Sequence, residues 1–121
     1  MIQVKVTLNK AWAAAYLGER GCGCELDGKL IMAAMEGDAF VGCGVISMEA
    51  DSARVHEMCC DDSVGYIMGK ALLNLIDNAG IETVYCDNAV LDALLVRLGF
   101  KPHGTGHKLS LEGYFTSHCG G

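Results

Sequence analysis

Apolar and polar positions alternate from Ile2 to Leu8, as along a half-buried strand, and then the period changes. Asn9 is a helix-capping residue type, and the run Trp12, Ala13, Ala14, Ala15, Tyr16, Leu17 behind it predicts a short helix ended by Gly18 and Gly21. Trp12 and Tyr16 fall one turn apart on one face, the usual arrangement of core packing. Beyond a Gly-Cys-Gly-Cys turn come three apolar runs, residues 29–35, 40–48 and 53–60. Short turns at Glu36-Gly37-Asp38-Ala39 and at residues 49–52 separate them, which predicts an antiparallel meander. Gly42 and Gly44 inside the middle run predict a bulge or a close neighbour, because glycine weakens a strand interior without such a reason.

From residue 61 the pattern turns helical. Val64, Met68, Leu72, Leu75, Ile76 and Ala79 recur at three- and four-residue steps until Asn78-Ala79-Gly80 closes the run. Residues 81–86 read as a strand, and Asn88 can cap a second helix through Leu91, Leu94, Leu95 and Leu98 that stops at Gly99. Strand, helix, strand, helix predicts a parallel pair joined by a right-handed crossover. Residues 101–115 read as a hairpin around Gly104-Thr105-Gly106, and residues 116–121 as a frayed tail. The expectation is one α/β domain over residues 1–121, with an abbreviated strand and helix in its first 28 residues.

Composition narrows this further. Half of the 121 residues are apolar, yet no run approaches the roughly 18 that a membrane helix needs. The alternating start does not resemble a secretion signal, so a cytoplasmic protein without membrane association is expected. The net charge of -6 and the lack of a basic stripe speak against nucleic acid, whereas an acidic surface suits an amine-bearing or cationic substrate. Seven cysteines without a framework, including the adjacent Cys59 and Cys60, are expected to be reduced. Cys22-Gly-Cys24 has one residue between its thiols where structural zinc sites use two to four, and His103 and His107 lack a paired Cys-x-x-Cys, so no metal is expected.

The stretch from Cys59 to Ile76 carries the most chemistry. It reads as a strand, an acidic turn with glycines at 65 and 69, and an apolar helix. A glycine turn at a helix N-terminus presents free N–H groups to phosphate and lets a ligand approach the backbone. Asp61, Asp62 and Ser63 are equally what an ordinary helix start requires, since short polar side chains cap free N–H groups and acids complement the dipole.

The element order, with residues 88–100 running from Asn88 to Leu98-Gly99-Phe100, resembles the GNAT superfamily of acyl-CoA-dependent N-acyltransferases from about residue 29 to 114. The resemblance implies a three-layer αβα sandwich with a mixed, mostly antiparallel sheet, and acetyl-CoA or another acyl-CoA lying in a splay between two parallel strands, residues 53–60 and 81–86. It implies cofactor contacts from Cys59, Cys60, Val64, Gly65, Tyr66, Ile67, Met68, Gly69, Lys70 and Asn88. The family's Arg/Gln-x-x-Gly-x-Gly/Ala signature falls on residues 64–69, where Val64 and Ile67 depart from it and Gly69 matches. Lys70 is the only nearby cation, and Asp61 and Asp62 stand where they repel a pyrophosphate.

The resemblance also implies a base on the strand before the turn, Glu57 or then His56, one of which faces the acceptor if side chains alternate. Leu95 stands where the family usually carries an acidic tyrosine, with Tyr66 and Tyr85 as spatial alternatives. Only one helix fits between the first two strands, where the family usually has two, so the acceptor side is expected to be open or closed by a second copy in a homodimer. Two functions follow: direct attack of a small-molecule or peptide amine on an acyl-CoA thioester, or a CoA-binding or regulatory module that has lost catalysis. A cysteine- and histidine-bearing metal protein is a third reading.

Overall fold

The computed structural model describes residues 1–115; the expected tail, residues 116–121, lies outside the described residues. Strand β1 (Ile2–Thr7) leads into helix α1 (Lys10–Glu19), then the meander β2 (Leu30–Glu36), β3 (Ala39–Met48) and β4 (Ser52–Cys60). Helix α2 (Asp62–Asn78), strand β5 (Thr83–Cys86), a 3₁₀ turn (Ala89–Leu91), helix α3 (Asp92–Leu98) and the hairpin β6 (Lys101–His103) and β7 (Gly106–Ser110) complete it. The seven strands form one sheet in the order β1-β2-β3-β4-β5-β7-β6, antiparallel throughout except for the parallel pair β4 and β5. The expected mixed α/β architecture is therefore the observed one.

The local signals act as their chemistry dictates. Asn9 Oδ1 accepts from the Trp12 N–H at 2.9 Å and starts α1. Gly18 lies inside the helix, contrary to its expected role as terminator, and the chain reverses at Gly21, where φ is 69°. Gly99, with φ 103°, ends α3 in the left-handed conformation that glycine adopts without strain.

The sheet separates two apolar layers. Beneath α2 and α3, Met32, Ile46, Val55, Met58 and Val84 of the sheet meet Met68, Leu72, Ile76, Leu95 and Leu98. On the opposite face α1 sets Ala13, Tyr16 and Leu17 on Ile31, Cys43, Val45 and Cys59, and Trp12 stacks on Phe40 at 4.4 Å. The glycines of β3 admit α2 to the sheet. A methyl group on Gly42 would lie 3.0 Å from Met68 Sδ, and one on Gly44 3.2 Å from Leu72 and Met68.

Two features of β4 create a site. Its register against β3 slips between Val45↔Glu57 and Ile46↔Val55, which leaves His56 unmatched as a bulge. Val55 and Met58 consequently both enter the α2 core, although they are three residues apart. His56 and Glu57 between them are both left for the α1 face. This corrects the alternation expected for those two side chains.

The second feature is a splay. β4 and β5 pair only at Ser52↔Thr83, Ala53↔Val84 and Arg54↔Tyr85. Beyond Arg54, β4 continues to Cys60 while the other chain leaves after Cys86 for the 3₁₀ turn and α3.

Candidate active site

The splay opens a cleft of about 440 Å³ between the C-terminal half of β4, the start of α2, and the 3₁₀ turn with α3. Glu57, Met58, Cys59 and Cys60 line one wall, Val90, Leu91, Ala93, Leu94 and Arg97 the other. Asp61, Asp62 and Gly65 close one end and Cys22 contributes from the loop after α1. A parallel pair that diverges leaves the inner edge of β4 without a ladder partner, and side chains take up part of it: the Met58 N–H is held by Glu57 and the His56 carbonyl by Asn88.

Two thiols of the cleft, Cys59 and Cys60, are held protonated. Burial and the hydrogen bond that its thiol donates to Cys22 push Cys59 up to about 12. Burial and the carboxylates of Asp61 and Asp62 push Cys60 up to about 11. Neither is a ready nucleophile near neutral pH, because the thiolate is the reactive form.

Asn88 braces the divide between this cleft and an open recess of about 270 Å³ lined by Arg54, Val55, His56, Asp87 and Asn88. Its Oδ1 accepts from Val90 N–H at 3.1 Å, and its Nδ2 donates to the His56 carbonyl at 3.2 Å and to Glu57 Oε1 at 3.3 Å. Glu57 Oε1 also accepts from the Met58 N–H at 3.1 Å. The polar atoms of Asn88 are thus engaged by protein. His56 lies in the recess with Nε2 2.8 Å from Ser47 Oγ. Burial, then the cations Lys29 and Arg54, lower its pKa below the ordinary 6.5 and outweigh Asp87, so the imidazole is neutral near pH 7.

Solved structures share this architecture across most of their length. The E. coli protein YhhK bound to coenzyme A superposes with a TM-score of 0.72 at 13% identity, over 91% of this chain and 98% of that one. The fold is that of the GNAT acetyltransferases. The ribosomal-protein-S18-alanine N-acetyltransferase from Escherichia coli matches with a TM-score of 0.63 and 14% identity over 90% of each chain. A GNAT family acetyltransferase from Elizabethkingia anophelis with acetyl-CoA bound matches at 0.62 and 11% identity, over 89% of this chain and 95% of that one. No family model and no curated protein matches the sequence.

Within the GNAT fold, the residues expected at the cofactor divide into two sets. Cys59, Cys60 and Gly65 line the cleft. Val64, Met68 and Gly69 are buried in the α2 core, and Tyr66 and Ile67 are exposed outside the cleft. The expected glycine turn is not a turn. Asp61 alone connects β4 to α2, and the whole segment 64–69 is helical. Gly65 and Gly69 instead admit α3: a methyl group on Gly69 would lie 2.6 Å from Leu98 Cδ1, and one on Gly65 3.4 Å from Leu94 Cδ2. Backbone donors at this end reduce to the first N–H groups of α2, of which those of Val64 and Gly65 are already bonded to the Asp61 carbonyl.

Lys70 does not face the cleft. Its ammonium lies 4.4 Å from the ring centroid of Tyr114, 5.2 Å from Phe115 and 5.8 Å from Tyr66. The cation that lines the cleft is Arg97, its guanidinium 5.2 Å from the Tyr66 ring. Sequence reasoning passed over it, although Val90, Leu94 and Arg97 recur at helical spacing. Leu95 is 1% exposed and belongs to the core, and neither Tyr66 nor Tyr85 lines the cleft. Among the described residues no three His, Cys, Asp or Glu side chains are grouped to hold a metal ion, and no helix is long and apolar enough to cross a membrane.

Proposed function

We propose that the protein transfers an acyl group from acyl-CoA to an amine, with the thioester seated in the cleft between β4 and α3. The observation that supports this most directly is the splay itself: the parallel pair ends at Arg54, and the 440 Å³ cleft begins just beyond it, at Glu57. The pantetheine arm lies along the unpaired edge of β4, whose N–H groups polarise the thioester carbonyl, that of Met58 on release from Glu57 Oε1. The pyrophosphate reaches the N-terminus of α2, where the N–H groups of Asp62 and Ser63 have no intrahelical partner and Arg97 supplies positive charge.

The amine enters from the α1 face, onto which the bulge directs both His56 and Glu57. Two protons must leave an incoming ammonium. Neutral His56 takes the first in the recess, and Glu57, lining the cleft, takes the second as nitrogen attacks the carbonyl carbon. The tetrahedral intermediate collapses with cleavage of the C–S bond. The CoA thiolate is protonated by water, since no tyrosine lines the cleft. Transfer is direct, because the protonated thiols of Cys59 and Cys60 are poor nucleophiles for an acyl-enzyme.

A CoA-binding module without catalysis is the second reading, favoured by the burial of Leu95 and by the carboxylates of Asp61 and Asp62 in the cleft. Amine-dependent release of CoA decides between them. In that assay Glu57→Gln lowers turnover by about 10²-fold or more with unchanged acetyl-CoA affinity, the loss typical of a removed general base. Unchanged turnover removes Glu57 from the reaction, and the absence of amine-dependent release in the parent protein establishes the binding module.

A further inference from the structure

The overall charge of -6 suggests a cationic acceptor, but the recess around His56 is lined by charges of both signs. Lys29, from the loop before β2, and Arg54 both bear on the imidazole against Asp87 after β5, the Glu57 carboxylate lies close by on the Asn88 amide, and Ser47 of β3 holds Nε2. Arg54 and Asp87 pair with one another across the recess. Their side chains are 39% and 65% exposed, so this pair opens to a ligand at small cost. Asp87 lies against Gly106 of β7, where an added methyl group would overlap its carboxylate and lie 2.9 Å from the Cys86 carbonyl.

With His56 neutral, the charged residues that line the recess, Arg54 and Asp87, sum to zero. A simple ammonium that takes Asp87 leaves Arg54 without a partner. A zwitterion does not, and it offers each half of the opened Arg54–Asp87 pair a new partner. The volume of about 270 Å³ lies just under the roughly 300 Å³ at which sites for drug-sized ligands begin, which fits a small acceptor.

We propose that the recess binds the acceptor as a small α-amino acid, its carboxylate on Arg54 and its amine between Asp87 and His56. The assignment rests on the acyl-transfer reading for its role but not for the binding itself. Arg54 and Asp87 act as specificity determinants, and neither lines the thioester cleft.

The test titrates the full-length protein by calorimetry with glycine, L-alanine and L-serine, and with methylamine, ethylamine and ethanolamine as their counterparts without the carboxylate. Alanyl-alanine, whose amine has no adjacent carboxylate, represents a peptide acceptor. At least one amino acid binds saturably, with its matched amine and the dipeptide weaker by about tenfold or more. Arg54→Gln and Asp87→Asn each weaken that binding by about tenfold while acetyl-CoA binds as before. The proposal is overturned if no amino acid saturates in the tens of millimolar, if amine or dipeptide binds as tightly, or if neither substitution changes amino-acid affinity. A parallel acetyl-CoA titration keeps the two readings apart: failure there refutes acyl transfer and leaves the amino-acid result standing on its own.

Discussion

Replacing Gly69 and Gly65 separately by alanine distinguishes glycines that serve helix packing from glycines that serve a ligand. Both lie inside α2, so each substitution gains the same helix propensity, about 0.8–1 kcal/mol. The added methyl groups meet different surroundings. At Gly65 it lies 3.4–3.7 Å from Leu94 and Cys60 Sγ, ordinary contact, and the variant is stabilised by about 0.5–1 kcal/mol. At Gly69 it lies 2.6, 3.0 and 3.3 Å from Cδ1, Cδ2 and Cγ of Leu98, which is 3% exposed and enclosed by the core. Forcing a methyl group into such packing costs about 1–3 kcal/mol.

Since the propensity gain cancels between the two variants, Gly69→Ala is less stable than Gly65→Ala by about 1–3 kcal/mol. Urea unfolding of both in reducing buffer measures the difference. In a Leu98→Ala background the Gly69→Ala penalty disappears, and the coupling energy of that cycle equals the overpacking cost. Equal stabilities for the two alanine variants refute the packing role. A loss of acetyl-CoA affinity in Gly69→Ala with unchanged stability refutes it in favour of a ligand role.

Two further outcomes follow from the charges around the cleft and the recess. Asp61→Asn with Asp62→Asn removes repulsion at the pyrophosphate end and tightens CoA binding several-fold at low salt, whereas Arg97→Ala weakens it; calorimetry at two ionic strengths reads both effects, which shrink as salt rises. The rate of acyl transfer rises with pH through a midpoint below 6.5, because burial, Lys29 and Arg54 depress His56 against the opposing Asp87 and the neutral imidazole is the active form. His56→Gln abolishes that limb in the pH profile and moves the requirement up to the pKa of the free amine, while retention of the limb assigns it to another group.

The elements were legible where a signal is local. Asn9 caps the helix it was expected to cap, and the alternating runs became the strands, because capping and pleat act within a few residues; Asn88 caps the 3₁₀ turn that precedes α3, whose own N-cap is Leu91. The parallel pair followed from the order of strand and helix, and its splay from the family resemblance. What the chain alone did not reveal is decided by distant partners. The bulge at His56 is a slip against β3, so the faces of His56 and Glu57 depend on Val45 and Ile46. Glycines four residues apart in an apolar helix read equally as a phosphate turn or a packing seam. Leu94 and Leu98, some thirty residues on, select the seam. Lys70 appeared to be the cation of the site, but Tyr114 and Phe115 take it, and Arg97 of α3 stands in the cleft.

The central claim, that an acyl-CoA occupies the splay between β4 and α3, is tested most directly by titrating the ¹⁵N-labelled, reduced protein with acetyl-CoA and following its backbone amide signals. Saturable shifts concentrated at residues 57–63 and 90–97, with β1, β2 and β6 unmoved, are the predicted result. No shift at millimolar ligand, or shifts centred away from both segments, contradicts the account.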